Sequence, residues 1–190
     1  RIKELLSKPY WLPESVPWIE KFIASPELRE YIADFVLPQP FSASYPQWKD
    51  SLWEKDSVAL KVSLIQGALA ARHWSHDPGR IDHLLLNNDH PDIKKALVEH
   101  VIFQDFWEPD DQKRWIEILI QDEELHKPLA EFTLPRVRLE GQRDWIKQIL
   151  KSPGEGRQAI VRRVLPTPPW IYDEDLLRFV IDLNDQYAAA

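Results

Sequence analysis

Trp115-Ile116-Glu117, Asp122-Glu123-Glu124-Leu125 and Thr133-Leu134-Pro135 decide the fold, because their order recurs along the chain. Trp18-Ile19-Glu20 runs to Ser25-Pro26-Glu27-Leu28 and closes at Val36-Leu37-Pro38. Trp145-Ile146-Lys147 runs to Ser152-Pro153 and closes at Val164-Leu165-Pro166. Weaker copies begin at Trp48, passing Asp56 into residues 58–71, and at Ile81, passing Pro91-Asp92-Ile93 to Val101-Ile102. A half copy starts near Trp170. Copies start about 30 to 35 residues apart, within the range of helical-repeat arrays, which gives about five and a half of them.

Each copy reads as two short helices. The first puts apolar residues on one helical face: Trp18, Ile19, Phe22 and Ile23, and again Trp145, Ile146, Ile149 and Leu150. Ser25 is expected to cap the second helix, with Pro26 at its first position and Glu27 at the positive end of its dipole. Ser152-Pro153-Gly154-Glu155 has the spacing of a capping box. The second helix carries its own stripe, Leu28, Ile32, Phe35 and Val36. It should end at Leu-Pro, because the residue before a proline is pushed out of the α region. Trp18, Trp48, Trp115 and Trp145 open copies and read as core anchors, with Trp18, Trp115 and Trp145 equivalent. Trp11, Trp53, Trp74 and Trp107 fall outside that position and read as packing between layers. No segment alternates with period two, so strand content should be near zero.

Composition agrees. The chain has 190 residues, 44% of them hydrophobic, with 16 prolines, 5 glycines and nine tryptophans. Proline enrichment with this much aromatic surface reads as helix punctuation, not disorder. The absence of cysteine excludes a disulfide scaffold, a zinc-thiolate site and a thiol nucleophile. No apolar run approaches the ~20 residues needed to span a bilayer, and the first residues lack signal-peptide architecture. A cytoplasmic location is the expectation. The absence of methionine points to a processed chain or a piece of a longer one.

Helix pairs of this kind cannot bury their stripes alone and must stack. The layout resembles the HEAT and armadillo class of two-layer helical repeats. That resemblance implies an all-α solenoid, with residues 1–190 forming a single helical-repeat domain. The tetratricopeptide and ankyrin signatures are absent.

Catalytic motifs are weak. His73-Trp74-Ser75-His76-Asp77 contains a His-Asp pair like that of the HD-superfamily phosphohydrolases, so His73, His76 and Asp77 would be the metal ligands of an enzyme reading. Asp77-Pro78 and His90-Pro91 equally suit helix starts. Glu123-Glu124-Leu125-His126 holds one Glu-x-x-His, where a di-iron bundle needs two and further glutamates. No serine-hydrolase or nucleotide fingerprint occurs. No cofactor is therefore expected.

Charge is uneven, although the net value of −7 argues against nucleic acid as the default partner. Asp110, Asp111, Glu123 and Glu124 belong to first turns, and Arg162 and Arg163 to a last turn. What remains is Arg136, Arg138 and Arg143, followed by Lys147 and Lys151. They form a candidate basic edge between copies, where loops of repeat proteins carry recognition. In the terminal helix, near residues 173–184, Leu176, Leu177, Phe179, Val180, Ile181 and Leu183 cover an arc of about 200°. One flank should meet the rest of the fold. The other, with Leu177 and Phe179, is offered to a further repeat, a second copy or a partner. The expected function is a non-catalytic protein-binding scaffold, adaptor or regulatory domain. A nucleic-acid-binding repeat using residues 136–151 is the second reading, and the His73/His76/Asp77 phosphohydrolase the third.

Overall fold

Prolines mark the start of several helices. The computed structural model describes residues 15–55, 57–72, 78–87 and 90–188, with side chains in the last helix described to Leu183. Helix α1 is Val16–Ala24. Helix α2 runs over 26–36, from a 3₁₀ turn at Pro26–Leu28 to a π turn at Ile32–Val36. After a 3₁₀ turn at Pro40–Ser44 come α3, Pro46–Trp53, and α4, over 58–69 with a π turn at Ile65–Leu69. Helices α5, Pro78–Asn87, and α6, Pro91–His100, follow. Then come α7, Pro109–Leu119, and α8, over 123–133 with a π turn at Leu129–Thr133. Helix α9 is Gln142–Lys151, and α10 runs over 155–164 with a π turn at Ile160–Val164. A 3₁₀ turn at Trp170–Tyr172 leads into α11, Glu174–Ala188. No strand occurs among the described residues.

The first position of a helix suits proline because its missing N–H would find no partner there. Pro26, Pro46, Pro91 and Pro109 all sit at helix starts. Caps add to this: the His90 Nδ1 accepts the Asp92 N–H at 3.4 Å, and the Ser57 Oγ accepts that of Leu60 at 3.3 Å. Two expected caps are absent. Ser25 has extended backbone at the start of α2 but its side chain makes no cap bond. Ser152 forms no capping box, because α10 starts at Glu155 with Gly154 as its cap residue. Its hydroxyl instead meets the Glu123 carboxylate at 3.4 Å.

The Leu-Pro endings also work differently from the sequence expectation. Leu37, Leu134 and Leu165 precede prolines yet keep right-handed helical dihedrals. Each ends its helix by donating its N–H five residues back, to Ile32, Leu129 and Ile160, at 2.8–3.0 Å. Ala70 does the same to Ile65 at 3.1 Å with no proline after it. The wide turn is therefore the ending itself. Proline only removes the next donor.

The chain divides into two compact units, Arg1–Phe106 and Trp107–Ala190. In the first, α2 packs on α4 and α4 on α6, while α1 packs on α3. Ile19, Ile32, Val36, Leu37, Trp48 and Leu64 form its core. In the second, α8 packs on α10 and α9 on α11, around Trp115, Ile116, Leu129, Ile146 and Ile160. Burying each such side chain contributes about 1.5–3 kcal/mol. Glycine permits the closest approaches. A Cβ at Gly67 would collide with the Ala33 carbonyl oxygen, and one at Gly156 would lie 2.6 Å from the His126 Cβ. Both collisions fall between second helices of neighbouring pairs.

The tryptophans are not equivalent. Trp115 is fully buried, edge-on to Trp107 at 5.2 Å, and Trp145 and Trp48 are buried too. Trp48 stacks on Tyr45 at 4.3 Å. Trp18 is 57% exposed, with the Lys21 ammonium 4.7 Å from the centre of its ring. The buried residues of α1 are Ile19 and Ile23, and Trp18 projects about 100° away from Ile19. Trp53 is half-buried beneath the Arg80 guanidinium. Trp11 and Trp74 lie outside the described residues.

Candidate interaction surface

The basic edge read from the sequence is largely occupied by its own chain. Residues 136–151 comprise most of the connection after α8 and the whole of α9. Arg138 donates to the carbonyls of Val137 and Pro168, both at 2.9 Å. Arg143 pairs with Asp173 at 2.7 Å and approaches Asp175 at 3.8 Å. Lys147 lies 5.6 Å from the centre of the Phe179 ring. Arg136 donates to the Phe132 carbonyl at 3.2 Å, and Lys151 ends α9, exposed. The structure thus brings Arg138, Arg143, Lys147 and Phe179 into one region, with the start of α11 as their counterpart.

Asp173 joins the two. One carboxylate oxygen accepts the Leu176 N–H at 3.0 Å and caps α11, while the other holds Arg143. Only 8% of the Asp173 side chain is exposed. Both contacts lie at the positive end of the α11 dipole. Beside them a depression of about 790 Å³ is lined by Gly141, Arg143, Trp170, Tyr172 and Glu174, among others. The Trp170 indole N–H finds no hydrogen-bond partner among the described residues.

The flanks of α11 differ sharply. Leu176 is fully buried and Phe179, Val180 and Leu183 are partly so, against α9. Leu177 is 37% and Ile181 58% exposed, one turn apart on the outer side. Ile171 and Tyr172, just ahead of the helix, are exposed as well. Glu174, Asp175 and Asp182 lie along the strip with a single cation, Arg178, which is 3.8 Å from Glu174.

Other candidates have structural employment. His126 is buried, its Nε2 2.9 Å from the Ile120 carbonyl oxygen. Glu123 and Glu124 lie in a first turn capped by Asp122, which accepts the Glu124 N–H at 3.1 Å. Lys127 and Glu155 pair at 2.6 Å between α8 and α10. Their hydrogen bond, and then their opposite charges, raise the lysine pKa and lower that of the glutamate. His73, His76 and Asp77 lie outside the described residues. Among the described ones, no three histidine or acidic side chains converge to hold a metal ion. Likewise, no described helix is long and apolar enough to cross a membrane.

Sequence reasoning missed two features. Gln142, three residues before Trp145, is buried and donates to the Leu134 carbonyl at 2.6 Å, closing the end of α8. Gln112 is buried three residues before Trp115 in the same way. The recurring Gln-x-x-Trp-Ile was the available signal. The Arg143–Asp173 pair joins residues thirty apart, and no local pattern encodes it. Comparison of the chain with family models, curated proteins and solved structures gives no match.

Proposed function

We propose that the chain is a HEAT-like helical-repeat scaffold, cytoplasmic and without catalysis, that binds another protein through the outer flank of α11. Packing of second helix on second helix within each unit supports the repeat arrangement. One observation carries the functional reading: unit Trp107–Ala190 engages most of its basic edge internally and leaves Leu177 and Ile181 uncovered. Apolar side chains exposed one turn apart on a helix are suited to packing against a second helix. A nucleic-acid surface would instead present uncommitted cations to phosphates.

The test is retention of partners from source extract by immobilised wild-type chain, compared with Leu177→Glu and Ile181→Glu variants. Both substitutions are on the exposed flank and should leave the melting temperature unchanged. Loss of the retained proteins is expected. Equal retention by wild type and both variants would overturn the reading.

A further inference from the structure

Resting on the reading of α11 as a protein-binding face, we infer the chemistry of its partner: a basic amphipathic helix. The outer strip is apolar at Leu177 and Ile181, and its border is acidic. On a helical projection Glu174, Arg178, Asp182 and Asp175 follow Ile181 around one side, in that order. Arg178 is held near Glu174, and Glu174 and Asp175 are both largely exposed. The border therefore carries an excess of negative charge. A second copy of this chain would bring the same acidic border against itself. A partner with Lys or Arg beside its apolar face meets it with opposite charge.

The depression at the start of α11 extends this match. Tyr172, 79% exposed, and Glu174 stand at its wall. A lysine or arginine from the partner, arriving there, would find a carboxylate and an aromatic face together. Arg143 does not repel it as an isolated cation would, because it is neutralised by Asp173. Apolar residues at i and i+4 of the partner would then cover Leu177 and Ile181, with its basic residues along the carboxylate border.

The probe is a synthetic amphipathic helix of leucine and lysine, with its leucine–glutamate counterpart as control. Fluorescence anisotropy with the full chain should show the lysine peptide binding at least about tenfold more tightly than the glutamate one. Ile181→Asn should weaken the lysine peptide about tenfold while keeping its salt dependence. The double variant Glu174→Gln/Asp182→Asn should weaken it at low salt and flatten that dependence. Asp110→Asn/Asp111→Asn, on α7, should leave binding unchanged. Equal losses in the α7 and α11 variants would overturn the proposal, since the attraction would then be only the net charge of the chain. Sedimentation separates the remaining outcome. A dimer that excludes the peptide and is dissociated by Ile181→Asn removes the basic partner but keeps α11 as a protein-binding face. A monomer whose peptide binding ignores every α11 variant removes both.

Discussion

Trp18-Ile19-Glu20 on α1 and Trp115-Ile116-Glu117 on α7 are the same three residues in the same kind of helix, yet one tryptophan is exposed and the other buried. The isoleucine is buried in both. A tripeptide fixes which direction the first helix turns inward, and Ile19 and Ile116 obey it. Whether the residue one step around the helix is covered depends on what else packs there. On α7 that flank holds Trp107 and the buried Gln112. On α1 the residue three before the tryptophan is Ser15, and the ring meets Lys21 instead.

The sharpest way to break this comparison is truncation. Trp115→Ala should cost about 3–5 kcal/mol in urea melts, as large core truncations do. Trp18→Ala should stay within about 0.5 kcal/mol, the usual range of surface changes. Equal losses would restore the equivalence that the exposures deny. Next comes the residue that accompanies the buried ring. Gln142→Leu keeps bulk ahead of Trp145 but strips the Leu134 carbonyl of its donor, so about 1–3 kcal/mol should be lost. If Gln142→Leu is neutral, the glutamine is not what separates these helices from α1.

The smallest effect belongs to the exposed Lys127–Glu155 pair. A carboxylate whose pKa is lowered stabilises the fold above its unfolded value and loses that contribution as pH falls through the folded one. A lysine whose pKa is raised contributes below its unfolded value and loses it as pH rises through the folded one. The pair's contribution is therefore flat across neutral pH. Lys127→Met should leave the melting temperature at pH 7 unchanged, as for other exposed pairs. Carboxyl NMR should show the Glu155 titration midpoint returning upward in that variant. An unmoved midpoint would deny the contact between α8 and α10.

Local chemistry was legible in the sequence and long-range chemistry was not. Pro26, Pro91 and Pro109 mark helix starts, and Asp110 and Asp111 lie in the first turn, because the reasons act within one turn. The stripe Trp145, Ile146, Ile149 and Leu150 is the buried face of α9 for the same reason. Leu37, Leu134 and Leu165 escaped the rule for pre-proline residues because the wide turn ends the helix without leaving helical dihedrals. Arg143 looked like part of an open basic surface because its partner Asp173 comes thirty residues later. Trp18 looked buried because only the fold shows which flank of a helix has a neighbour.

Asp173 ties two events together. Its carboxylate starts α11 and holds Arg143 at once, so neither can let go without disturbing the other. Fraying at the first turn of α11 would release a cation from the α9 segment, and a phosphate or acid that captured Arg143 would loosen the helix. In hydrogen exchange, the first amides of α11 and those around residue 143 should open as one cooperative unit. The exposed apolar flank of α11 and the basic edge beside it would then report on each other, although nothing in their sequence positions links them.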